Sequence, residues 1–136
     1  MDEQRLSEEL LLCKLDDLEE QQCMEMLVEG RQLFAVRADN SIHAYWNICP
    51  HMGIPLNWVP NRYLDFDKAF IQCSSHGAQF QVATGKCISG PCTGDYLKTV
   101  TLRRENDHYY ICANQSLPAT PENLRALALA DLEDRE

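Results

Sequence analysis

Four residues in two short runs have the types and spacing to bind iron or zinc. They are Cys49 and His51 in Cys49-Pro50-His51-Met52-Gly53, and Cys73 and His76 in Cys73-Ser74-Ser75-His76-Gly77. Each run pairs one thiolate donor with one imidazole donor, and twenty-one residues separate His51 from Cys73. Soft thiolate suits a buried ferric iron, whereas neutral imidazole suits an iron that changes valence. Two prongs of this composition can grip a two-iron cluster, with both cysteines on one iron and both histidines on the other. A Cys2His2 set also fits zinc, the commoner structural metal for such ligands, but the usual zinc spacing pairs like with like. The mixed pairs favour the cluster.

Ligands of this kind need a rigid frame, and the chain reads as short strands separated by turn chemistry, the pattern of an antiparallel all-β domain. Strands are expected at Glu9 to Lys14, Cys23 to Val28, Gln32 to Arg37, Ile42 to Trp46, Ala69 to Gln72, Gln79 to Val82, Leu97 to Arg104 and His108 to Cys112. Glu29-Gly30, Ala38-Asp39-Asn40-Ser41 and Asn106-Asp107 supply the turns, with residues that tolerate positive φ. In Leu97 to Arg104, Val100 and Leu102 share one face and Thr99, Thr101 and Arg103 the other, which predicts a half-buried strand. Two stretches break the rhythm, 47 to 68 and 83 to 96, and loops this long in a compact domain are usually functional. Each ligand motif falls where an expected strand enters an irregular stretch. Residues 1 to 8 are expected to be frayed, 9 to 116 to form the domain with its cluster-binding part at about 47 to 93, and 117 to 136 to end in a short amphipathic helix. In that last segment Thr120 serves as N-cap before Pro121, with Leu124, Leu127, Ala128 and Leu132 at helical spacing.

A chain of 136 residues fits one self-supporting domain and leaves no room for a second, catalytic one. The net charge of −9 is unevenly spread: residues 1 to 30 hold ten acids against two bases, 117 to 136 five against two, and 31 to 116 six against eight. The middle is therefore slightly basic, so the acidic total does not describe the surface around the motifs. No basic cluster exceeds Arg103-Arg104, which disfavours nucleic acid. No apolar run approaches a membrane span and the first residues are acidic, so a soluble cytoplasmic protein is expected. Seven cysteines, an odd number in a chain read as cytosolic, point to reduced thiols or metal ligands over a disulfide framework. Cys13, Cys23 and Cys112 fall in expected strands and read as small buried hydrophobes, while Cys87 and Cys92 fall in the later irregular stretch. His43 and His108 read as structural histidines, and Trp46 and Trp58 as core. Phosphate-loop, dinucleotide and nucleophile-elbow motifs are absent, and fully ligated irons would leave no open position for substrate. An electron-transfer component, not an enzyme, is expected.

The pair of motifs, Cys-x-His followed by Cys-x-x-His, resembles the Rieske signature. With the flanking strands, the His76-Gly77-Ala78-Gln79-Phe80 segment and the Gly90-Pro91 loop, the similarity to soluble Rieske ferredoxins runs from about Leu10 to Cys112. The resemblance implies a Rieske-type antiparallel β-sandwich or barrel with a cluster-binding subdomain and one 2Fe-2S cluster. Cys49 and Cys73 would ligate the inner iron and His51 and His76 the solvent-facing one. The Gly90-Pro91 loop would cover the cluster as a third flap, and Gly53 and Gly77 would let the backbone approach its sulfurs. High-potential Rieske proteins carry a disulfide between the prongs and two hydroxyls after the second motif. Here Ile54 and Ser75 replace the cysteines, and Ala78 and Phe80 replace the serine and tyrosine. Fewer donors to the cluster imply the low end of the range of about −150 to +300 mV. Ser74 stands where the family usually has proline, and the inter-motif stretch is longer than in typical ferredoxins. The extra part, about Trp58 to Lys68 with Tyr63 and Phe66, is expected beside the cluster as docking surface.

The function so implied is a soluble one-electron carrier between a flavoprotein reductase and a terminal oxygenase or similar oxidoreductase. One alternative is the fixed small subunit of an assimilatory nitrite reductase, favoured by the insertion and the C-terminal helix. Another, of a different class, is a redox-sensing or zinc-binding interaction module.

Overall fold

The structure is a computed structural model, and it describes residues 5–48, 56, 63–65, 68–73 and 77–118. Glu29, Gly30, Asp39 and Asn40 take positive φ (49°, 80°, 53° and 60°), the left-handed pairs that two type I′ turns require. These turns join β2 (Cys23–Val28), β3 (Arg31–Ala38) and β4 (Ser41–Trp46) into a meander in which Val28 opposes Arg31 and Ala38 opposes Ser41. Asn106, at φ 55°, turns β8 (Leu102–Glu105) into β9 (His108–Ile111). β1 (Leu10–Lys14) pairs with β9, giving a sheet of order β1-β9-β8. β5 (Phe70–Gln72), β6 (Gln79–Gln81) and β7 (Cys87–Ser89) form a third sheet in sequence order. All these pairings are antiparallel, which is the all-β architecture expected from the turn chemistry.

In the middle sheet β3 and β4 bury side chains on both faces, and the period of two along them sorts these side chains into two cores. Leu33 and Ala35 of β3, with Ile42, Ala44 and Trp46 of β4, join Leu12, Tyr109 and Ile111 in the core shared with the β1-β9-β8 sheet. Phe34, Val36 and Tyr45 point the other way, into a second core with Leu56, Tyr63, Ile71, Cys73, Phe80 and Leu97. This explains the unbroken apolar run Leu33-Phe34-Ala35-Val36, all of it at most 1 % exposed. Each side chain of Leu or Phe size buried in this way contributes about 1.5–3 kcal/mol. The second core is the one that holds the β5–β6 hairpin, whose connection contains Cys73 and His76 in sequence.

Several elements differ from expectation. Cys87–Ser89, read as irregular, pairs as β7 with β6 across a register irregularity; three residues are too short for a periodic signal. The strand expected from Leu97 begins only at Leu102. Its first part serves β4 instead, because Trp46 N–H donates to Lys98 O (2.9 Å) and Val100 N–H to Ala44 O (2.9 Å). The predicted half-burial holds, with Val100 buried and Thr99, Thr101 and Arg103 exposed. Leu15–Asp17 forms a short 3-10 turn where no element was expected.

The N-terminal expectation of fraying through residue 8 is corrected at Leu6, which is 2 % exposed. Its N–H donates to Gln115 O (3.1 Å) and its carbonyl accepts from Asn114 N–H (2.7 Å). Trp46 and Cys13 are core, as expected, and Cys23 and Cys112 are half-buried. Among the described residues no helix is long and apolar enough to cross a membrane. The C-terminal helix expected around Thr120 to Leu132, and Trp58, lie outside the described residues.

Candidate metal centre

Cys73 directly follows β5 and is wholly buried, with no disulfide. Its N–H donates to Ala78 O (2.8 Å), and Gly77 N–H donates to Cys73 O (2.9 Å). These two bonds close the base of the segment that carries His76 in sequence and continue the β5–β6 ladder, in which Gln72 opposes Gln79. Gly77 sits at φ +68°, and a Cβ there would meet only Gln72 Nε2 at 4.0 Å. Glycine is required here by the left-handed backbone rather than by crowding, and its amide is engaged by the Cys73 carbonyl. The Gly77 amide thus closes the loop base, while the space beside its Cα is open. Cys49, His51, Gly53, Ile54, Ser75 and His76 lie outside the described residues.

The base of the first prong is closed by a side chain. Asn47, one residue past β4 and only 5 % exposed, accepts Leu56 N–H on Oδ1 at 2.7 Å. The segment so bracketed contains Cys49 and His51. Asn47 N–H donates to Gln32 O (2.9 Å), and its Nδ2 donates to Gln32 Oε1 (2.9 Å) and to Tyr63 Oη (3.3 Å). A buried amide with its donors and acceptor all engaged is stably oriented.

Tyr63 ties the two prong bases together. Its ring stacks on Phe34 (centroids 4.1 Å apart, 8° between planes), and its hydroxyl donates to Glu25 Oε1 at 2.6 Å. Its carbonyl accepts Gln72 N–H at 2.8 Å, one residue before Cys73. Farther along, Asp65 Oδ1 accepts from Ala69 N–H (2.9 Å) and Phe70 N–H (3.1 Å), so residues 63–65 run beside β5 as an extra hairpin arm. The expectation that Tyr63 lies on a docking surface is therefore overturned: at 1 % exposure it is core. Phe66 lies outside the described residues. Asn47 did not stand out in the sequence, where the only signal was a polar residue directly after an apolar strand, and Tyr63 stood out for a surface role it does not have.

The later irregular stretch packs on the second prong. Gly90 takes φ +103°, and a Cβ there would lie 2.8 Å from Ala78 Cα, so only glycine permits this approach. Tyr45 fixes the preceding turn, its hydroxyl donating to Val82 O at 2.6 Å and its ring standing 2.7 Å from where a Cβ of Gly85 would be. Ala78 and Phe80, both wholly buried, bring no hydroxyl to this region.

A family model described as the Rieske 2Fe-2S domain matches residues 8–119. The chain belongs to the Rieske 2Fe-2S domain family. As a Rieske domain it carries a Rieske-type 2Fe-2S cluster. Among characterised relatives, the ferredoxin component of the naphthalene 1,2-dioxygenase system of Pseudomonas putida is 30% identical over 92 residues, covering 68% of this chain and 83% of that protein. Human apoptosis-inducing factor 3 is 29% identical over 108 residues, which cover 79% of this chain but 17% of that protein. Among solved structures, the ferredoxin of carbazole 1,9a-dioxygenase from Nocardioides aromaticivorans superposes with a TM-score of 0.61 at 22% identity, over 78% of this chain and 98% of that one. The terminal oxygenase of carbazole 1,9a-dioxygenase from a Novosphingobium species gives 0.66 at 20% identity, over 85% of this chain and 32% of the oxygenase. At these identities the likeness to solved structures is one of fold. The Rieske fold here places both prong bases on the second core.

Proposed function

We propose that this Rieske protein is a one-electron carrier that accepts electrons from a flavoprotein reductase and delivers them to a terminal oxygenase, and that it is cytoplasmic and has no substrate chemistry of its own. The observation that carries this reading is the family match, together with relatives that are ferredoxin components along most of their own length. Cys49, His51, Cys73 and His76 are the ligands in this proposal. When bound, the cluster supplies a one-electron couple, with thiolates on one iron and imidazoles on the other. The donor chemistry fits, and the buried, unbridged Cys73 thiol on a pinned loop base is suited to it. Asn47 and Tyr63 tie the bases of the two ligand-bearing segments of this proposal to one core. The fixed nitrite-reductase subunit loses one of its supports, because Tyr63 of the insertion is internal.

Two experiments test the proposal. Replacing Cys49, His51, Cys73 or His76 singly by Ala should remove the red-brown colour and the iron, while Cys13→Ala and Cys112→Ala keep both. A colourless wild-type protein holding stoichiometric zinc would overturn the ligand assignment. Catalytic amounts of the holoprotein, mixed with a flavoprotein reductase and excess cytochrome c, should pass many electrons per carrier. A single turnover per chain would instead indicate a fixed subunit.

A further inference from the structure

Cys87 opens β7 and Cys92 lies in the turn that follows, and their sulfurs stand 3.0 Å apart. Both are buried, at 0% and 3% exposure. That separation is about 1 Å longer than a disulfide bond. The two Cα positions are held independently of the sulfurs. Cys87 N–H donates to Asp95 O (2.7 Å), Gly94 N–H to Cys87 O (3.0 Å), Asp95 N–H to Cys92 O (2.9 Å), and Thr93 Oγ1 to Gly90 O (2.7 Å). The backbone thus holds the two sulfurs next to each other, with Cys87 Sγ also within 3.3 Å of Ser89 O. Solvent is one residue away, since Ile88, Ser89, Gly90, Pro91, Thr93 and Gly94 are all exposed.

We propose that Cys87 and Cys92 form a second redox site, a dithiol that hydrogen peroxide oxidises to a disulfide within the loop packed against Ala78. One sulfur attacks peroxide, the O–O bond breaks, and a sulfenic acid forms as the first water leaves. The second sulfur then displaces the hydroxyl as a second water, and the S–S bond closes. Two electrons pass from the two sulfurs to the peroxide, and both thiol protons end in water. The product staples the turn around Gly90, whose backbone abuts Ala78, the second residue after His76. A two-electron thiol couple thus adjoins the second prong of the Rieske domain and is separate from its ligands.

Lys86 and Lys98 bracket a tryptic peptide, residues 87–98, whose only cysteines are Cys87 and Cys92. Holoprotein is treated with stoichiometric peroxide while visible absorption is followed, then alkylated, digested and weighed. The expected result is a peptide lighter by two hydrogens that takes no alkyl group, formed without bleaching and restored to two alkylations by dithiothreitol. Cys87→Ser holoprotein should leave Cys92 fully alkylated after the same treatment. A wild-type peptide that still takes two alkyl groups with the colour intact overturns the proposal. So does loss of colour before any change in this peptide, or a disulfide that links either cysteine elsewhere.

Discussion

The side-chain oxygen of Asn47 accepts the backbone N–H of Leu56 at 2.7 Å, so one buried amide closes the segment that contains two expected ligands. Asn47→Ala leaves a buried N–H without its acceptor and removes the donation to Gln32 and Tyr63. A cost of about 1–3 kcal/mol is expected. Urea unfolding should show that loss, and iron should leave the variant faster on incubation with a chelator. Tyr63→Phe, which keeps the stack on Phe34 and the bond to Gln72, should cost less. Equal stability of Asn47→Ala and wild type would remove Asn47 from its role.

Ala78 and Phe80 are wholly buried beside the second prong and carry no hydroxyl. Ala78→Ser and Phe80→Tyr each introduce a donor where high-potential relatives have one, and donors to the cluster favour the reduced form. Each variant should raise the midpoint potential, by on the order of tens of mV within the Rieske range. Protein-film voltammetry or a dye-mediated titration reads this directly. An unchanged or lowered potential in both variants would refute the matching of positions.

Gly85 and Gly94 both have positive φ (75° and 97°), but only at Gly85 does a new Cβ strike a neighbour, the Tyr45 ring at 2.7 Å. The left-handed backbone costs an L-residue on the order of 1–2 kcal/mol. Gly94→Ala should show a loss of about that size. Gly85→Ala should show more, since Tyr45 is held by its bond to Val82 and has little freedom to yield. Thermal melts of the two variants give the comparison, and the order reversed would contradict the packing of Tyr45 on this turn.

Burial pushes the Cys13 and Cys23 thiols up from 9.0 to about 11, with Asp17 adding to the effect at Cys13. The Tyr45 phenol rises from 10.0 to about 12 for the same reason. The unfolded chain releases these protons first, so their stabilising contribution is complete below pH 9 and is lost as pH rises through the folded values. The melting temperature should fall from about pH 9 upward, the thiols acting to about 11 and Tyr45 to about 12. The Cys13→Ala, Cys23→Ala double variant should flatten the first part of that fall, as read by circular dichroism. A wild-type melting temperature constant from pH 8 to pH 11 would contradict it.

Local chemistry was legible from the residues alone. Glu29-Gly30, Asp39-Asn40 and Asn106 announce the turns because positive φ is a property of single residues. β2, β3, β4 and β9 follow from apolar patterning over four to eight residues. The family, and with it the cluster, followed from thiolates and imidazoles at short spacing, because metal ligation demands particular atoms. Low charge in the middle of the chain and the absence of an apolar span were likewise readable as composition.

Tertiary structure alone decided which residues support the site. Asn47 and Leu56 are nine positions apart, and Tyr63 meets Phe34, Glu25 and Asn47 across still longer separations, so no local pattern marks them. Tyr63 reads as an exposed aromatic in an insertion until the second core closes over it. β7 depends on its pairing with β6, and the segment from Leu97 divides between two sheets because β4 offers it an edge first. Cys87 and Cys92 look like two more cysteines of a loop until the fold brings their sulfurs to 3.0 Å. Candidate ligands are local chemistry written in the chain; the clamps that close the segments containing them are long-range contacts, and those exist only once the sheets have packed.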